Sequence, residues 1–74
     1  MTKVAVRTAE VYKELRSLVA EARESGLEKC ESYKKLIGAL DELALALHRM
    51  LYLDEKLNPE SEKIVMEALK PPIA

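Results

Sequence analysis

Between Leu36 and Leu57 the apolar residues fall on two sides of the helix they would form, and that pattern limits the folds open to the chain. Leu36, Ile37, Leu40, Leu43, Ala44, Leu47, Met50 and Leu51 follow the three-and-four spacing of one broad helical face. Gly38, Leu45 and Tyr52, seven apart, form a narrower stripe between the polar rows Asp41, His48, Glu55 and Glu42, Arg49, Lys56. A broad face builds a core against one neighbour. A second stripe asks for another helix on the other side. No period-two alternation of the kind that marks a strand occurs along the chain, so the expected class is all-α.

The 74 residues are expected to form a single helical domain, 1–74. A chain of this size buries only about 60% of the surface its unfolded form exposes, so its own core is marginal. Disulfides, a metal or self-association usually make up the difference. One cysteine and one histidine leave association as the expected route, with no cofactor and no metal. The single Cys30 has no internal disulfide partner, Lys3 and Arg7 are not followed by the unbroken apolar stretch of a secretory leader, and uncharged apolar runs reach five residues against the ~20 of a membrane span. A cytoplasmic protein with no membrane partner is expected. Twelve basic and thirteen acidic residues are well mixed, which disfavours a nucleic-acid partner because phosphate binding needs clustered cations. Gln is absent, Asn occurs once, and 34% of residues are charged, a bias characteristic of thermophile proteins.

Three helices are expected, at about 3–25, 28–57 and 59–70. In the first, Val4, Thr8, Val11, Leu15, Leu18 and Ala22 alternate by four and three as a packing seam. Thr2 is placed to cap its start and Gly26 to supply the left-handed residue at its end. Ser25 and Glu28 have capping-box spacing for the second helix. A continuous rod over 3–57 would keep Leu15 and Ala22 in phase with Leu36 and Leu43, but it would set Gly26 and Lys29 in the seam, so a hairpin is expected. Asn58 before Pro59 marks the third start, Pro71 and Pro72 its stop, and Ile64, Val65, Ala68 and Leu69 its buried edge.

Several side-chain groups invite chemical readings. Asp41, His48 and Glu55 are ligand types, but seven residues span ~10 Å of helix, so a metal would need ligands from another subunit. Cys30 lies between Glu28 and Glu31, which disfavour a thiolate, and it reads as half-buried or incidental. No nucleophile, base and orienting group converge, so no enzyme is expected. Lys13, Arg16 and Arg23 share a basic row of the first helix that could contact nucleic acid, though pairing with Glu60, Glu62 or Glu67 is the stronger expectation.

The fold expected is therefore a long antiparallel helical hairpin plus a short third helix, a three-helix bundle, dimerising into a four-helix core. A third helix of ~18 Å cannot cover both flanks of a second one of ~42 Å. Gly38, Leu45, Met50, Tyr52 and Leu53 are the expected interface, and the expected function is a non-catalytic module that self-associates through the second helix. A second copy is its first partner, with another helical protein as a further one. A nucleic-acid-associated accessory protein and an inter-subunit metal-binding bundle are the alternatives.

Overall fold

The computed structural model describes residues 2–54 and 56–71. They form three α-helices, α1 (Thr2–Glu24), α2 (Glu31–Arg49) and α3 (Pro59–Leu69), with a π-helical turn over Met50–Asp54 extending α2. The longest dimension is 40 Å, about half the ~80 Å of an unbroken helix over 3–57, so the first two helices are a hairpin. Its radius of gyration, 13.4 Å, exceeds the ~11 Å of a compact chain of this length.

Gly26 ends α1 in the way its sequence position suggests. Its φ of 81° lies in the left-handed region, and the Leu27 N–H donates to Ala22 O while the Gly26 N–H donates to Arg23 O, each at 3.0 Å. This is the paired closure of a glycine C-cap. Thr2 is already helical and does not cap. The capping box of Ser25 and Glu28 is also absent, because α2 does not start beside them. A further turn follows, with Cys30 N–H donating to Leu27 O at 3.0 Å, and α2 begins only at Glu31. Cys30 occupies the cap position in extended conformation and contributes no side-chain bond.

The second helix also ends earlier than 57. Leu47 and Leu57 are both buried in the cluster that holds Ala5, Ala9, Val65 and Ala68. A straight helix would separate them by ~15 Å, so seating both in one core requires the chain to leave the α2 axis between them. The π-turn and the residues after it make that departure. Asn58 then caps α3 as expected: its side chain accepts the Ser61 N–H at 2.8 Å, with Pro59 at the first helical position.

The third helix packs mainly on α1, not on α2, and the two outer helices touch little. Sandwiched between them, α1 buries Ala5, Ala9, Val19 and Ala22. That strip is turned by about one residue from the expected seam, and Val4, Val11 and Leu18 stay exposed. The physical reason is the small size of Ala5 and Ala9, which lets α3 approach α1 closely on the side that the larger residues leave free. On α3, Val65 and Ala68 are buried and Leu69 is half-buried, whereas Ile64 is exposed. A second cluster, Val19, Ala22 and Tyr33 with Leu36, Ile37 and Leu40, closes the turn end of the hairpin without α3.

Candidate association surfaces

The expected interface residues on α2 divide into two groups. Leu45, Tyr52 and Leu53 are 60, 68 and 69% exposed, and a Cβ built at Gly38 would meet nothing within 4 Å. Met50 instead packs against the first core cluster. The stripe is stiffened at one point, where the His48 ring stacks on Tyr52 with centroids 6.3 Å apart and its Nδ1 lies 2.7 Å from Ala44 O. Because α3 sits on α1, Leu45, Tyr52 and Leu53 are left exposed among the described residues.

A second apolar surface lies on α1, where the rotated core leaves Val4, Val11 and Leu18 at 54, 49 and 48% exposure. Lys3, Val4, Arg7, Thr8, Val11 and Leu43 line an open groove of about 460 Å³ between α1 and α2. Their four-and-three spacing had placed Val4, Val11 and Leu18 in the packing seam of the hairpin. The signal that could have placed them outside is the parallel seam Ala5, Ala9, Tyr12, Arg16, Val19, one residue along, whose small members suit a closely packed neighbour.

The basic row of α1 is largely spent within the fold. Arg16 Nη1 donates to Ala68 O at 2.9 Å and to Lys70 O at 3.1 Å, and its guanidinium lies 5.4 Å from the centre of the Tyr12 ring. It thereby satisfies carbonyls at the end of α3, where Glu60, Glu62 or Glu67 had been the expected partners. Arg23 donates through Nε and Nη2 to the Tyr33 hydroxyl at 3.0 and 2.9 Å. That hydrogen bond, followed by the charge interaction with Tyr33, raises the Arg23 pKa above its ordinary value. Burial opposes the rise and Glu28 adds slightly to it. Lys13 is exposed.

Among the described residues no three His, Cys, Asp or Glu side chains come together as a metal site. Asp41 and His48 are exposed on α2, and Glu55 lies outside the described residues. Cys30 is exposed at the start of α2 rather than half-buried. Ion pairs among the described residues, Lys34 with Glu31, Arg49 with Asp54 and Lys70 with Glu67, are local and exposed, so they do not hold one helix to another. No helix of the described residues is long and apolar enough to cross a membrane.

Among the described residues the class these features define is an all-α array of three helices with two exposed apolar surfaces. No protein-family model, curated protein or solved structure matches the chain.

Proposed function

We propose that the protein is a non-catalytic helical association module that pairs with a second copy of itself, with α2 taking part in the contact. The observation that carries this reading is the mismatch between core and surface. Leu47 and Val65 are the largest fully buried side chains, while Val4, Val11, Leu18, Leu45, Tyr52 and Leu53 stand exposed. Burying a large apolar side chain contributes ~1.5 to 3 kcal/mol, so a contact covering several of these residues would rival the stability of the isolated fold. Gly38, Leu45, Tyr52 and Leu53 remain the part of α2 most available to a further helical partner. The basic row gives the nucleic-acid alternative little support, because Arg16 and Arg23 are engaged within the chain.

Light scattering across a dilution series tests the proposal. A mass of two chains that falls toward one on dilution is expected. A single-chain mass at every concentration would overturn it.

A further inference from the structure

Val4, Val11 and Leu18 are spaced by seven on α1 and stand exposed, and with the half-buried Thr8 and Leu15 between them they make a four-and-three seam along the open side of the helix. Such a seam is the geometry by which helices interlock. The Thr8 hydroxyl donates to Val4 O at 2.7 Å, so the polar group in the seam is already satisfied. Leu43 brings α2 into the same groove, and on helical geometry Leu36, Ala39 and Ala46 continue its flank. The open side of the hairpin is therefore two apolar seams lying next to each other.

The row outside the α1 seam is Arg7, Glu14 and Glu21, with Lys3 beside Arg7. Its amino-terminal part is basic and its carboxy-terminal part acidic. None of these four side chains makes an ion pair among the described residues.

We propose that this open face binds a second copy of the chain about a two-fold axis close to Val11, with the two α1 helices antiparallel. This inference rests on the self-association reading and assigns its two-fold contact to the α1 seam and the Leu43 flank, leaving Leu45 and Tyr52 for another partner. Charge decides the occupant and the orientation. The axis sets Arg7 of each copy opposite the partner's Glu14, so the pair forms twice. A parallel arrangement would oppose Arg7 to Arg7 and Glu14 to Glu14, which is unfavourable. Leu43 shares the groove with Val11, so the axis meets α2 near that level. There, within about one helical turn, Glu42 comes opposite the partner's Arg49, whose guanidinium already pairs with Asp54 of its own chain, so the α2 pair adds less than the α1 pairs. The face is about 34 Å long and two helices wide, roughly 600 Å² per copy, which reaches the lower bound of ~1,200 Å² for a stable dimer.

Val11→Asp should reduce the native mass from two chains to one and weaken self-association ~100-fold or more, while the far-ultraviolet circular dichroism stays helical because Val11 is half-exposed. Arg7→Glu and Glu14→Arg should each weaken it about 3- to 10-fold. Mixing these two single variants should restore the two-chain mass, because every Arg7–Glu14 position then holds opposite charges again. A Val11→Asp protein that stays dimeric, or a mixture that stays monomeric, would overturn the proposal, and the mixture decides the matter if Val11→Asp fails to fold. Loss of the dimer on Leu45→Asp with Tyr52→Ala, but not on Val11→Asp, would keep self-association and reject this face. A wild-type chain that is monomeric throughout rejects both.

Discussion

Arg16 ties the body of α1 to the end of α3, across a long stretch of sequence, since its carbonyl acceptors lie 52 and 54 residues away. A charged donor on carbonyls contributes more than a neutral one, and the Tyr12 ring beneath the guanidinium restricts its motion. Partial exposure reduces the effect, so Arg16→Ala should lower stability by about 1 to 2 kcal/mol, read from the denaturant midpoint. Arg16→Lys should recover only part of this, because an ammonium lacks the planar fork. A midpoint unchanged by Arg16→Ala would mean that the end of α3 is held by other contacts. Residues that act on backbone close in sequence were readable in advance: Asn58 as the cap of α3, and Gly26 as the left-handed residue that ends α1. Arg16 was expected to pair with Glu60, Glu62 or Glu67, because backbone carbonyls across the fold leave no trace in residue types. Tyr33 is similar, since a tyrosine three residues into a helix does not announce the Arg23 that it accepts from.

Element positions were legible, and their boundaries were less so. The periodicity around Leu36–Leu51 and the Asn58–Pro59 start located α2 and α3. The beginning of α2 was misread because the capping-box spacing at Ser25 and Glu28 straddles the glycine closure made by Gly26 and Leu27, and that closure with the turn after it delays α2 to Glu31. Its end was misread because a helical pattern continues through residues that must bend away to bury Leu57. The two glycines make opposite predictions within this frame. Gly38 is mid-helix with open space at its missing Cβ, so Gly38→Ala should stabilise the fold by up to about 1 kcal/mol. Gly26 has open space too, but its φ of 81° strains any L side chain, so Gly26→Ala should destabilise by about 1 kcal/mol. Thermal or denaturant unfolding of the two variants checks both signs. Equal effects in the same direction would show that neither helical propensity nor the turn conformation governs these sites.

At the scale of the whole molecule, the sequence revealed that apolar surface would be left over, but it put most of the surplus on α2. The phase of α1 was the missing quantity. Two seams one residue apart compete there, and only the choice of α3 to pack on Ala5 and Ala9 selects between them. That choice leaves a thin array, 40 × 23 × 15 Å, whose buried hydrophobic residues include four alanines. A core so poor in large side chains gives a chain of 74 residues a total stability of about 4 to 11 kcal/mol at best. If a second copy covers the open face, folding and association share that free energy, and the midpoint of melting must depend on concentration. For two chains unfolding together, each tenfold increase in concentration should raise Tm by about 3 to 5 °C. The Val11→Asp chain, deprived of the contact, should melt lower and at a Tm independent of concentration. Wild-type melting curves that superimpose over a hundredfold range, at concentrations where the native mass is that of two chains, would show that the three-helix array carries its stability alone and that pairing adds none.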